Sequence, residues 1–232
     1  MVLIPCYNEA EAIGGVAGEC VARGYDTVVV NDGSKDATAE NARAAGATVI
    51  SHEVNRGKGS AVETGIRYAC ENGYDAVVMI DGDGQHLPCE IVRFIDAFKD
   101  SNADFIIGSR MQSCKNMPFV RRQTNRFMSW LLSRQIGHPI SDTQCGFRLI
   151  GRNSFPVALR CSSGGFSAES EILLQLGLNK MKMCEVPVST VYGEEKSKIR
   201  PVRDTMRFIK MLKRFRKDRR ARNAADRRQR SN

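Results

Sequence analysis

The sequence predicts an α/β fold, a mainly parallel central sheet with helices on both faces. Three observations predict it. Short β-branched runs alternate with helical stretches through the first hundred residues, polar clusters fall where those runs end, and 232 residues with 42% hydrophobic and 26% charged content suit one α/β domain. Regular alternation of this kind implies right-handed crossovers, and ligands of such sheets sit beyond the carboxyl ends of the strands.

The elements follow in order. "MVLIP" is the first strand and leads into a helix from about Glu9 to Arg23. "DTVVVN" is the second strand, and "KDATAENARAAG" a helix ending at Gly46. "ATVIS" with "GSAVETGIRYACENG" repeats the unit, as does "DAVVMI" with "CEIVRFIDAFKD", and "DFIIGS" is a further strand. The second half is less regular: "FVRRQTNRFMSWLLSRQIG" reads as an amphipathic helix, "CGFRLIG" as a strand, "SAESEILLQLG" as a helix and "MCEVPVSTVY" as a strand. From Val202, "VRDTMRFIKMLKRF" sets Phe208, Ile209, Leu212 and Phe215 on one helical stripe before the sequence dissolves into charge.

Composition excludes several classes. No apolar run reaches the roughly 20 residues of a membrane span. The opening "MVLIPCYNEAEAIGG" lacks a basic start and meets acidic residues too soon for a secretory signal, so a cytoplasmic location is expected. Eight cysteines are scattered singly without a CxxC pair, and most are expected to be small core hydrophobes in a reducing compartment. The net charge of +9 belongs to the end of the chain: residues 210–232 hold 11 Lys/Arg against 2 Asp/Glu, and residues 1–209 balance at 24 against 24. Residues 1–210 are therefore read as the folded domain and 211–232 as a basic, disordered tail.

Four polar clusters converge on one crevice: "CYNE", "NDGSKD", "HEVNRGKG" and "DGDGQH", after strands one to four. In "MIDGDGQH", Asp81, Asp83 and Gln85 alternate along an extended stretch and offer hard oxygen ligands of the kind Mg²⁺ or Mn²⁺ prefers. A cation between two carboxylates relieves their repulsion, and Mg²⁺ commonly bridges such groups to substrate phosphates. The motif alone equally admits an Asp/Gly-rich turn with solvated acids. Asp32 suits either a nucleobase N–H or a cap of the following helix. "NRGKG" brings Arg56 and Lys58 to a helix start, a place for nucleotide contacts, although no phosphate-binding GxxxxGK[ST] is present. Blander readings attach to the remainder: His86 as a metal ligand or, preferably, a loop hydrogen-bonder, His52 and His138 as isolated solvated or capped residues, and Glu169 and Glu171 as first-turn charges complementing a helix dipole. Trp130, Phe127, Leu131 and Leu132 admit two readings, contact with a lipid tail or membrane surface and, the commoner role of an apolar helix face, packing in the core.

"PCYNEAEAI", "VVVNDGSKDAT", "NRGKGSAVETGI", "VVMIDGDGQHLP", "IIGSRM", "DTQCGFRLI" and "EEKSKI", in this order, resemble the family 2 glycosyltransferases of GT-A fold, most of all the dolichyl- or polyprenyl-phosphate sugar synthases. The resemblance implies that Pro5, Tyr7 and Glu9 line a nucleotide pocket, that Asp32 reads the base, and that Lys58 or Gly59 closes around it. It implies that Asp81, Asp83 and Gln85 hold Mg²⁺ or Mn²⁺ against the donor diphosphate. Gly82 stands between the acids where related proteins often carry alanine. Arg110 falls at the acceptor or sugar end, Asp142 and Arg148 face the reacting sugar and phosphates, and Ser197 and Lys198 belong to a flap over the diphosphate. An arginine common before the flap is replaced here by Val191 and Tyr192, with Arg200 following.

An inverting transfer from a nucleoside diphosphate-sugar follows. A lipid phosphate acceptor is already an anion and needs no general base, whereas a saccharide hydroxyl needs a carboxylate, for which Asp142 is the candidate. The expected site of action is the cytoplasmic face of a membrane, reached through the basic C-terminal segment. That segment would also suit nucleic acid, but the neutral body and 7% aromatic content carry no recognition signature, so none is expected as a partner.

Overall fold

The computed structural model describes residues 1–111, 119–161 and 168–191, together with Leu212 and Phe215; the side chains of residues 120, 121 and 168 are not described. The chain divides into two compact units, Met1–Glu195 and Lys196–Asn232. Within the second unit Leu212 and Phe215 are helical and buried. The expectations on Ser197, Lys198, Arg200, Phe208 and Ile209 lie outside the described residues.

Strands β1 (Val2–Cys6), β2 (Thr27–Asn31), β3 (Thr48–Ser51), β4 (Ala76–Met79), β5 (Phe105–Ser109), β6 (Arg148–Gly151) and β7 (Met183–Pro187) form one sheet in the order β3-β2-β1-β4-β6-β5-β7. β1, β2 and β5 are buried along their whole length, which is why they read as unbroken apolar runs, whereas edge strand β3 is partly exposed. Helices α1 (Ala10–Ala22), α2 (Thr38–Ala44) and α3 (Lys58–Glu71) alternate with the first four strands. They are followed by α4 (Ile91–Ser101), α5 (Phe119–Ile136), the short α6 (Phe155–Ala158) and α7 (Ala168–Leu178).

Successive residues of each strand feed opposite cores, as the two-residue strand period requires. Ile4, Ile80, Ile106 and Phe147 pack with Ile13, Val16 and Phe94 on one face. Leu3, Met79, Phe105 and Ile107 pack with Val62, Ile66, Phe155 and Leu173 on the other.

Two features of topology build the crevice. From β3 the chain returns through α3 to β4 on the far side of β1, so the strand order reverses between β1 and β4, and ligand crevices of open α/β sheets lie at such a reversal. The second feature departs from a parallel sheet: β6 runs antiparallel to both neighbours, pairing Met79 with Arg148 and Ile107 with Arg148. The beginning of β6 therefore lies at the same sheet end as the ends of β4 and β5. That reversal brings "DTQCGF" to the four loops expected there.

Among the described residues no helix is long and apolar enough to cross a membrane. The cysteines are mixed in role: Cys6, Cys20 and Cys145 are buried as expected, but Cys70 and Cys89 are exposed.

Candidate active site

Asp81 and Asp83 stand just past β4, half-buried and one glycine apart. Lys58, in the first turn of α3, places Nζ 2.5 Å from Asp81 Oδ1 and 2.5 Å from Glu169 Oε1. Glu169 Oε2 in turn receives Arg148 at 3.1 Å. Four elements distant in sequence thus share one chain of alternating charge. Burial opposes ionisation at Asp81, but Lys58, with His86 and Arg148, outweighs it and holds the carboxyl below its ordinary range. Burial also opposes the charge on Lys58, and Asp81 and Glu169 overcome it, so the ammonium is held protonated more firmly than usual.

Asp83 differs. Its carboxyl is pushed up to about 6, first by burial and then by the neighbouring Asp81 charge. One oxygen accepts the Gln85 N–H at 3.0 Å. This is the donor set and the electrostatic stress that a hard divalent cation relieves. Among the described residues no three His, Cys, Asp or Glu side chains gather as a metal cage. Two carboxylates and an amide fit a cation whose remaining ligands are phosphate and water.

Two glycines make this packing possible. A Cβ at Gly146, in "DTQCGFR", would collide with the Asp81 carboxylate, so the loop before β6 lies directly against the loop of Asp81 and Asp83. A Cβ at Gly82 would collide with Cys6 Sγ. The glycine found where related proteins often carry alanine is therefore matched to the cysteine of "PCYNE".

Asp32 is 2% exposed and is spent on the protein. Its Oδ1 accepts the Arg56 N–H at 2.9 Å and faces His52 Nδ1 at 2.7 Å, and its Oδ2 accepts the Gly57 N–H at 2.7 Å. His52 Nε2 lies 2.9 Å from Thr64 Oγ1. His52 is thus no isolated residue; it clamps Asp32 to α3. Gly33, at φ +71°, is required: a Cβ there would lie 2.5 Å from the Val54 carbonyl carbon. The first loop is stitched to the second, with Asn8 at φ +55° offering its N–H to Ser34 Oγ while its side chain accepts from the Lys35 N–H, both at 2.9 Å. Pro5 is buried, Glu9 is half-buried at the start of α1, Tyr7 is exposed beside Asn8, and Gly59 is half-buried in the first turn of α3.

The residues expected toward the acceptor and sugar are held by the protein's own groups. Arg110 grips Asp142 with Nε at 2.7 Å and Nη2 at 2.9 Å, and Asn125 of α5 adds a bond at 2.7 Å. Burial disfavours the Asp142 charge, but these bonds prevail and keep its carboxyl below the ordinary range. Arg148 is 1% exposed and donates to the carbonyls of Cys145, Thr143 and Glu169 at 2.8, 2.9 and 3.0 Å. Its guanidinium moulds the loop before β6. Glu185 secures the same loop by accepting from Ser141 N–H and Oγ–H. Gln85 is half-buried, and its backbone carbonyl accepts the Val191 N–H at 2.9 Å, which ties the loop of Asp81 and Asp83 to Val191.

Glu169, read in sequence as a dipole-complementing charge, is at the centre of the ionic chain; its separation of about a hundred residues from Lys58 gave no signal. His86 is buried against Phe147, ring centroids 5.3 Å apart, with Nδ1 unpartnered among the described residues, and burial pushes its imidazole below the ordinary range. The hydrogen-bonding role expected of it is met only by a 4.0 Å approach of Nε2 to Cys145 Sγ.

Comparison with known proteins places this geometry. A family model described as glycosyl transferase family 2 matches residues 1–157. A UDP-N-acetylglucosamine–dolichyl-phosphate N-acetylglucosaminyltransferase of Methanococcus voltae is 30% identical over 215 residues, covering 83% of this chain and 86% of its own. An undecaprenyl-phosphate mannosyltransferase of Micrococcus luteus is 29% identical over 208 residues, with 84% of each chain covered. In structure, glucosyl-3-phosphoglycerate synthase from Mycobacterium tuberculosis, in complex with Mn²⁺, UDP and phosphoglyceric acid, superposes with a TM-score of 0.70 at 18% identity, over 92% of this chain and 77% of that one. At that identity the likeness concerns the GT-A fold.

Proposed function

The chain belongs to glycosyl transferase family 2, and from that premise we propose that it moves a hexose from a nucleoside diphosphate-sugar to a polyprenyl phosphate at a membrane surface. The observation that carries the reading is the carboxylate pair at the mouth of the crevice, Asp81 stabilised by Lys58 and Asp83 strained upward to about 6. Asp81, Asp83 and Gln85 would hold Mg²⁺ or Mn²⁺, whose charge stabilises the negative charge growing on the leaving diphosphate. That a protein of the same fold holds Mn²⁺ with UDP supports the assignment.

A phosphate oxygen of the acceptor bonds to the anomeric carbon as the bond to the nucleoside diphosphate breaks, and the electron pair leaves with the diphosphate. Lys58, firmly charged, stands beside Asp81 to share the load on that leaving group. Asp32, by fixing the Arg56 and Gly57 N–H groups, shapes the loop against which the nucleotide would lie, and Pro5, Tyr7 and Glu9 border the same crevice. Asp142 bears on the acceptor. A carboxylate bound three times by Arg110, through its backbone N–H and twice through its guanidinium, and once by Asn125 is a poor general base, which favours an acceptor that arrives ionised. The names of the Methanococcus and Micrococcus relatives, both lipid-phosphate transferases, point the same way. Ser197, Lys198 and Arg200 are proposed to cover the diphosphate, and the basic residues after Lys210 to draw the enzyme to anionic lipid at the cytoplasmic face.

The test is calorimetry with UDP and GDP, with and without Mn²⁺, followed by turnover with a short polyprenyl phosphate and with a free saccharide. Mn²⁺-dependent binding of one nucleotide and transfer to the lipid phosphate alone are expected. Transfer to the saccharide hydroxyl, or nucleotide binding indifferent to Mn²⁺, would overturn the reading.

A further inference from the structure

Helix α5 has two faces of opposite character. Inward, Asn125, Ser129 and Leu132 are buried, with Asn125 bonded to Asp142 and Ser129 to the Thr143 N–H. Outward, Phe119 is 67%, Phe127 61% and Trp130 56% exposed. The stripe that admitted both a core and a lipid-facing reading in sequence is thus split: Leu132 enters the core, and the aromatics face water. Arg126 and Arg134 are exposed on the same side as Phe127 and Trp130, as their i, i+1, i+4, i+8 spacing requires. Phe127 stacks on Trp130 at 6.1 Å, Arg134 lies over the Trp130 ring at 5.9 Å and Arg122 over Phe119 at 5.8 Å.

We propose that this outward face is a docking surface for an anionic lipid bilayer. Three large aromatics on one exposed helix face exceed the scattered apolar residues of an ordinary surface. Their company selects the occupant: from Phe119 to Ile136 the helix carries four arginines and no acidic residue. Arginine stems beside aromatic rings can rest at the headgroup level, rings inward and guanidinium groups on phosphate. The proposal deepens the lipid-phosphate reading above and rests on it for its purpose. One helix would then lie on the membrane with its outer face while its inner face orients Asp142, so the reaction loop is held at a fixed height above the headgroups that bear the acceptor.

The chain contains one tryptophan, Trp130, which makes the test direct. Full-length protein is titrated with phosphatidylcholine vesicles, with and without phosphatidylglycerol, while Trp130 emission is recorded. A blue shift with anionic vesicles, quenching by brominated lipid and weakening with salt are expected. Phe119→Ser with Phe127→Ser should weaken partitioning about tenfold or more, and Arg126→Gln with Arg134→Gln should weaken it on anionic vesicles only. The same variants should retain turnover with a short water-soluble acceptor. Sedimentation with vesicles while Trp130 emission stays unchanged would overturn the proposal, because docking would then lie elsewhere. So would a blue shift that depends on protein concentration without lipid, which would assign the face to a second copy, and so would no binding at all. The lipid assay uses neither donor nor acceptor, so its failure is distinguishable from failure of the transfer reaction.

Discussion

Replacing Asp83 by Asn should make the free protein more stable and the loaded protein less so. The Asp83 carboxyl is raised from 3.8 to about 6, chiefly by burial and then by Asp81. A shift of that size is a cost to the folded state of about 3 kcal/mol once the group is ionised. Partial exposure of the loop trims the recoverable part to about 1–2 kcal/mol. The sign fixes the pH window. A carboxyl whose folded value is raised costs nothing below 3.8, costs progressively more as pH rises, and costs its full amount above about 6. Asparagine keeps the shape and an oxygen for the Gln85 N–H while removing the charge.

The midpoint of thermal unfolding should therefore rise by about 2–8 °C at pH 7.5 and by almost nothing near pH 4, at the roughly 2–4 °C per kcal/mol usual for a domain of this size. Scanning calorimetry across that range reads the effect. With Mn²⁺ and a nucleoside diphosphate the order should invert, since binding stabilises the wild type by mass action and the variant has lost a ligand. A variant destabilised at pH 7.5, one stabilised equally at pH 4 and pH 7.5, or one that gains as much from Mn²⁺ and nucleotide as the wild type would refute the reasoning.

Three other substitutions separate moulding from chemistry. Arg148→Lys should cost about 3–5 kcal/mol in urea unfolding, because the guanidinium is buried and serves three carbonyls, while nucleotide affinity below the transition stays within about twofold; lost affinity at unchanged stability would return Arg148 to the substrate. Gly82→Ala should cost about 1–3 kcal/mol by driving a methyl into Cys6 Sγ, and Cys6→Ala in the same chain should recover most of it. Additive losses in that double variant would exclude the steric pairing. Asp32→Ala should lower stability and nucleotide affinity together, by about 1–3 kcal/mol each, since three groups lose their acceptor at once. Affinity falling alone, measured by calorimetry, would mean that Asp32 meets the base directly.

What was legible in the sequence was what local pattern encodes. Strands β1, β2 and β5 announce themselves because burial on both faces selects unbroken β-branched runs, and a parallel topology sends the loops after the first four strands to one edge. The direction of β6 has no such signature. It is set by the path of the chain between β5 and β6, and only the pairing of Arg148 with both Met79 and Ile107 reveals it. The same limit hid Glu169 and His52, whose partners lie on other elements; a first-turn acid and a lone histidine look alike whether solvated or clamped.

Helix α5 shows a different limit, one of ambiguity in the pattern itself. Helical periodicity reports that apolar residues share a face, not which face meets the core. In α5 two stripes coexist, Leu132 with the small polar Asn125 and Ser129 on one side, and Phe119, Phe127 and Trp130 on the other. The aromatic stripe admits a core and a lipid-facing reading alike in sequence, and the inner position was taken by residues that hydrogen-bond to the Asp142 loop. A helix that spends its inner face on a polar site has its aromatics left for the outside. That exchange ties the exposed surface to the reaction loop, and it is the physical reason to expect that whatever covers Phe127 and Trp130 will also be felt at Asp142.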